Sequence, residues 1–388
     1  PHDGRGRGGP GQQTGFRLLL VAVVAAVVVI AGATYVIVRG SETGTGPDRT
    51  LPDVAVLRFA SVTPVTGTRG VNGAAPVTVT FNGPLRNGSP SPVIRPAVPG
   101  TWTHSGDSAI FTPAIAFAAS TRYTVEIPAG IVARGGARLR SATVAHFTTG
   151  PYSQLRLGQL LSQLGYLPLT WTPNTGPAAR AEQQDDAYVQ QNQEALAFDA
   201  PAGSFAFQPG YPAHLASFWT MNQPNVLLRG AVMAFQSEHG MTPNATIGPK
   251  FWAALFTAAA AGNRNASGYT YAVASKSVPE SLTIWHNGRE VFHALANTGI
   301  PVAPTVDGTF PVYERFRFQI MRGTNPNGSS YADPVSYVSY FNGGDAVHYF
   351  PRPGYGYQQS LGCVELPYDA AARAWPYLTY GSLVTVAG

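Results

Sequence analysis

The chain has 388 residues, 44% of them hydrophobic and only 12% charged, with 43 glycines, 33 prolines and one cysteine. That length exceeds one ordinary core and implies two to four domains, and so many turn-forming residues imply β-rich modules joined by loops. A formal net charge of +5 suits an anionic envelope or simple solubility, no Lys/Arg run is dense enough for nucleic acid, and one cysteine excludes an intramolecular disulfide.

Residues 1–17 are Gly-rich and basic, with Arg5, Arg7 and Arg17, and predict a disordered cytoplasmic tail. Residues 18–38 form an uncharged apolar run. At about 1.5 Å per residue this run makes a helix of roughly 30 Å, the thickness of a hydrocarbon core. The arginines before it favour N-inside, C-outside, a single-pass anchor at the cell membrane with the rest of the chain extracytoplasmic, in the cell wall. The competing reading is a cleaved signal peptide, with Ala31-Gly32-Ala33 as the small-residue site. Residues 39–54 read as a linker.

Between 55 and 150 the pattern is period two. Val77 to Phe81, Tyr123 to Ile127 and Val144 to Thr149 alternate, with Gly and Pro between them, as in a β-sandwich. The segments VTVTFNGPL, IFTPAIAFAASTRYTVEI and HFTTG, in that order, resemble a bacterial Ig-like domain. His104, Asp107 and His146 are scattered in it and form no catalytic constellation, so its expected role is a spacer.

From 151 to 265 the period changes. Leu157, Leu160, Leu161 and Leu164 recur on one helix face, as do Leu228, Val232 and Phe235, and Phe251, Leu255 and Phe256 suggest a third helix. LGYLP, AVMAFQSEHGM and IGPKFWAAL resemble a small α-helical peptidoglycan-binding domain. An insertion over 170–225, rich in Gln and aromatics, departs from that pattern; an extra helix or a loop reaching the next domain is expected of it.

Residues 266–388 return to period two. Ser281–His286 and Arg289–Leu295 flank Asn287-Gly288, the preferred two-residue type I′ turn. PTVDGTFPV follows at 304–312, then further strands, then His348, a Gly/Pro-rich loop, and SLGCVEL at 360–366. A free thiol is only a few per cent thiolate at pH 7, and a neighbouring imidazole that takes its proton makes it a nucleophile. His348, fifteen residues before Cys363, is the histidine nearest to it in sequence, whereas His286 and His293 lie on the hairpin and read as exposed strand residues. Gly362 lets backbone approach a bound carbonyl, and the N–H groups of Gly362 and Cys363 are candidates for an oxyanion hole. Ser360 either bonds His348 or shapes the turn. No HExxH, Cys/His ligand cluster, Walker loop or dinucleotide fingerprint occurs, so no metal or cofactor is expected.

The hairpin, the GTF loop and the spaced His and Cys resemble, in order, the YkuD-like catalytic domain of L,D-transpeptidases. The resemblance implies a mainly β catalytic sandwich with short helices, completing a multidomain chain with an Ig-like sandwich, a helical module and one transmembrane helix. It implies Cys363 as nucleophile and His348 as general base. It further implies a thioester with a peptidoglycan stem peptide, 3→3 cross-linking, L,D-carboxypeptidase activity when water is the acceptor, and acylation by carbapenem-type β-lactams. Three positions depart from the family pattern. The motif's usual histidine is Leu361, the residue after the base is Tyr349, and the usual Arg or Asn after Cys-X is Glu365. Glu365 is expected to face the pocket and select substrate by repelling a carboxylate, or else to pair with Arg352 or Arg373. Arg352 and Tyr340 are further candidates for holding substrate. These departures also motivate an alternative, a wall-binding scaffold whose catalysis is impaired.

Overall fold

The computed structural model describes residues 53–174 and 193–388, together with two short strands nearer the N-terminus. Those strands, β1 (Val29–Ile30) and β2 (Ala33–Thr34), pair antiparallel. They fall inside the run expected to be one helix. That expectation is corrected for these four residues, whose β-branched Val29, Ile30 and Thr34 suit extended backbone. The remainder of 18–38 lies outside the described residues, as do the tail and most of the linker. No helix among the described residues is long and apolar enough to cross a membrane.

Residues from 53 to 149 fold as two antiparallel sheets. One comprises β3 (Phe59–Thr63), β4 (Val77–Phe81), β7 (Ser108–Pro113) and β6 (Gly100–Ser105), and the other β5 (Val93–Arg95), β8 (Arg122–Ile127) and β9 (Thr143–Thr148). Alternation decides which face is inside: Val77, Val79 and Phe81 are buried, while Thr78 and Thr80 are half-exposed. Phe117 fills the space between sheets against Phe111, Tyr123 and Phe147.

Three helices follow: α1 (Gln154–Gln163), α2 (Val226–Glu238) and α3 (Pro249–Ala261). Each starts where a cap permits it. Ser153 accepts from Leu155 N–H at 3.1 Å, Asn225 accepts from Leu228 N–H at 2.9 Å, and Pro249 opens α3, which ends on left-handed Gly262. In the insertion, β10 (Leu169–Pro173) pairs with β11 (Gly203–Phe207), and a 3-10 turn follows at Ala213–Phe218. Residues 193–198 are helical, and 175–192 lie outside the described residues. The insertion does reach the next domain: Tyr211 Oη donates to the Tyr269 carbonyl at 3.2 Å, and His214 hydrogen-bonds the Tyr271 hydroxyl. The helical module also shares its core with that domain, because Tyr269, Tyr271 and Leu383 are buried among its leucines.

The C-terminal region is a second sandwich. Its first sheet has the order β14 (Arg289–Leu295), β13 (Ser281–His286), β12 (Thr270–Ser275), β20 (Leu383–Ala387), β15 (Gly308–Pro311). The β13–β14 turn has φ +49° at Asn287 and +74° at Gly288, the two positive values a type I′ turn requires. The second sheet runs β16 (Glu314–Thr324), β17 (Ser330–Asn342), β18 (Asp345–Tyr349), β19 (Val364–Leu366). Helix α4 (Tyr368–Ala374) covers one end. Leu282, Ile284 and Phe292 of the first sheet meet Phe341, Val347, Val364 and Leu366 of the second in one core.

Candidate active site

β18 and β19 run parallel, with Val347 opposite Val364, His348 opposite Glu365 and Tyr349 opposite Leu366. Successive side chains of a strand point to opposite faces. Val347, Val364 and Leu366 therefore enter the core, and His348, Cys363 and Glu365 share the outer face. Continuing the strand spacing and rise one residue before β19 makes His348 and Cys363 diagonal neighbours about 8 Å apart at Cα. Together with Arg352, Leu361 and Tyr340 they line a cleft of about 640 Å³. Its far wall comes from the β16–β17 hairpin through Gln319, Met321, Tyr331 and Asp333.

His348 is 3% exposed. Its Nδ1 lies 2.9 Å from the Tyr349 carbonyl, which only accepts, so Nδ1 carries the proton and Nε2 keeps its lone pair. Burial pulls this imidazole below its ordinary value of 6.5, against the Tyr349 carbonyl and the Glu365 carboxylate. Cys363 moves the other way. Burial pushes its thiol up to about 12, with Asp345 and Glu365 adding to the rise and the Ala346 N–H opposing it. Both shifts favour uncharged groups at rest. Burial thus disfavours a standing thiolate–imidazolium pair.

The loop between the two strands is held from behind. Gln359 N–H and Ser360 N–H both donate to the Thr298 carbonyl, at 2.9 and 3.0 Å. Thr298 in turn donates its N–H and hydroxyl to the fully buried Glu280 carboxylate, at 2.6 and 2.8 Å. Asn297 Oδ1 accepts from Gly356 N–H at 3.0 Å, and the Asn297 backbone bridges Glu365. Glu280 and Asn297 are site-building residues that sequence reasoning missed, because neither sits in a spaced motif. Ser360 shapes the nucleophile turn and does not bond His348. Its hydroxyl donates to the Cys363 carbonyl at 2.6 Å and accepts from Gly362 N–H at 3.2 Å. That second bond takes the Gly362 N–H expected for an oxyanion hole.

The remaining candidates divide. Tyr340 is in the cleft, its hydroxyl donating to Gln319 at 3.1 Å, and burial pushes it up to about 12. Tyr349 turns its ring away, edge-on to Tyr368 at 5.0 Å, and reaches the site only through its carbonyl. Glu365 and Arg352 form a bidentate pair with both N–O distances 2.7 Å. The carboxylate faces the cleft, as one expectation had it, but its charge is matched, as the other had it. Arg373 lies over Phe292 instead. His286 bonds Thr270 and His293 bonds Thr283 on the opposite sheet, and neither lines the cleft.

Residues 270–386 match the family model of the L,D-transpeptidase catalytic domain. Residues 53–149 match that of the bacterial Ig-like domain. Among solved structures, an L,D-transpeptidase from Mycobacterium smegmatis is similar at 16% identity and a TM-score of 0.29, over 85% of this chain and 98% of that one. L,D-transpeptidase 3 from Mycobacterium tuberculosis, in complex with a faropenem-derived adduct, is similar at 17% and 0.29, over 85% and 98%. The catalytic domain of an Enterococcus faecium L,D-transpeptidase is similar at 24% and 0.28, over 30% and 95%. No curated protein matches the chain.

Proposed function

We propose that this L,D-transpeptidase-type domain joins peptidoglycan stem peptides through a thioester on Cys363. The observation that carries the reading is the convergence of Cys363 and a proton-accepting His348 on one cleft wall from adjacent parallel strands. The Cys363 sulfur attacks the carbonyl carbon between the third stem residue and its terminal D-Ala. Its proton passes to His348 Nε2 and on to the departing D-Ala amine. The Cys363 N–H serves as the oxyanion donor. An amine of a second stem then displaces the sulfur and closes a 3→3 cross-link, and water in its place gives L,D-carboxypeptidase activity. Carbapenem-type β-lactams acylate the same sulfur. The apolar run at 18–38 would hold the chain at a membrane, the Ig-like domain would act as spacer, and the helical module would engage the wall. Intact-mass measurement after mixing with a carbapenem tests the core of this reading, with one adduct on Cys363 as the expected result.

The departures at Leu361 and Glu365 favour the second reading, a wall-binding scaffold with impaired catalysis, and burial, which pushes the thiol away from ionisation, agrees with it. The pH profile separates the two. A neutral-pair mechanism loses rate only as His348 protonates, and its value is lowered, so acylation should stay level on descending to pH 6.5 and halve below it. Absence of measurable acylation from pH 5 to 9 supports the scaffold.

The Arg352–Glu365 pair sets a further expectation. Glu365→Gln keeps one acceptor for the Arg352 guanidinium but removes the charge that matches it. Removing one member of a fully buried pair costs about 3–5 kcal/mol, and Arg352 is 26% exposed, so roughly 2 kcal/mol of stability should be lost. The guanidinium, its charge now unmatched, should favour stems with free carboxylates over amidated ones. Acylation rates with both stems, in wild type and variant, check this; equal rate ratios would leave Glu365 a purely structural residue.

A further inference from the structure

Asp345 stands beside the nucleophile and has no part in the acylation described above. It opens β18 directly after the Gly343-Gly344 turn, is half-buried, and lines the cleft with Cys363. The turn is fixed by the Tyr313 hydroxyl, which donates to the Gly343 carbonyl. Gly362, next to the thiol, has φ +115°, and a Cβ placed there would collide with Asp345 Oδ1. The carboxylate therefore lies against bare backbone of the nucleophile turn. Only Oδ2 has partners, both at the limit of a hydrogen bond: Val306 N–H at 3.4 Å and Asn342 Nδ2 at 3.5 Å. Oδ1 accepts from none of the described residues.

An acid in this position opposes formation of a thiolate, and it contributes to the rise of the Cys363 thiol. That effect works against the first half of the reaction. Once the sulfur has become a thioester it is neutral and the repulsion is gone. The same carboxylate then attracts a cation. The other charges of the cleft point the same way. Glu365 occupies Arg352 and burial favours a neutral His348, which leaves Asp333 and Asp345 against Arg322. The Tyr340 ring adds an aromatic face to the same cleft.

We propose that Asp345 anchors the acceptor, binding the ammonium group of the incoming amine next to the Cys363 thioester. The inference rests on the acyl-transfer reading. The bound ammonium loses one proton to solvent, and the free amine attacks the thioester carbon. The C–N bond forms, the C–S bond breaks, and the second nitrogen proton passes through His348 to the departing sulfur.

The test separates the two half-reactions in the full chain, with a tetrapeptide stem as donor and a tripeptide stem carrying a free side-chain amine as acceptor. Asp345→Asn keeps an oxygen for the Val306 N–H and removes only the charge. Mass spectrometry should show its acyl-enzyme forming at least as fast as in wild type. The acceptor KM should rise at least tenfold, with more of the acyl-enzyme lost to water, and Asp345→Glu should recover part of the difference. An unchanged acceptor KM and an unchanged partition between amine and water would overturn the inference while leaving acyl transfer intact. A wild-type protein that takes no acyl group on Cys363 overturns both.

Discussion

Cys363→Ala should abolish carbapenem adduct formation and stem-peptide acylation together. Among the described residues that line the cleft Cys363 is the one thiol, and its neighbours in the nucleophile turn cannot take its place. Leu361 is apolar, and Ser360 is turned into the nucleophile loop with its hydroxyl on the Cys363 carbonyl. The fold should persist. Cys363 is half-buried, its thiol's hydrogen bond to the Gly344 carbonyl is long at 3.7 Å, and alanine keeps the Cβ that packs beside Val335 and Ala346, so the thermal midpoint should stay within a few degrees. Cys363→Ser should be nearly as inactive, because a hydroxyl ionises far less readily than even this raised thiol. Intact-mass spectrometry and a stem-peptide assay read both. Residual turnover of more than a few per cent in the Ala variant would remove Cys363 from the mechanism.

His348→Ala should slow acylation by roughly 10²–10⁴-fold, about 3–5 kcal/mol of transition-state stabilisation, the usual contribution of a positioned general base. The dependence should be near the top of that range, since burial leaves the thiol with almost no spontaneous thiolate. His348 is also packed, so truncation to alanine leaves a hole in the cleft wall. His348→Gln fills most of it, donates to the Tyr349 carbonyl, and cannot take a proton. Equal losses in the two variants, with donor binding near normal, point to proton transfer. The acid limb of the pH profile should vanish with the imidazole. His286→Ala and His293→Ala should be close to neutral, both rings being tied to threonines on the other sheet. A larger loss in either than in His348→Ala would reassign the base.

Much of the architecture is written in local chemistry, and the sequence alone was enough for it. Asn287-Gly288 makes a hairpin because both residues accept positive φ, and Val77, Val79 and Phe81 face inward because a strand alternates. Leu157, Leu160, Leu161 and Leu164 bury one helix face for the same kind of reason, and His348 and Cys363 stand out as base and thiol by residue type and spacing. What the chain of symbols did not determine depends on long-range register and on burial. The parallel pairing of β18 with β19 puts His348, Cys363 and Glu365 on one face and sends the Tyr349 ring to the other. It also brings Glu365 against Arg352, thirteen residues away, which turns an expected repulsive charge into half of a matched pair. Ser360 was expected either to bond His348 or to shape the turn, and in a loop tethered to Thr298 its hydroxyl goes to the Cys363 carbonyl. The helical module reads as a separate body by its period, yet its leucines close over Tyr271 and Leu383, because an apolar sheet face must be covered by whatever packs nearest. Protonation is the last such case. Side-chain identity proposes a thiolate and an imidazolium, and burial in the cleft favours the neutral form of each, since removing water penalises whichever form is charged.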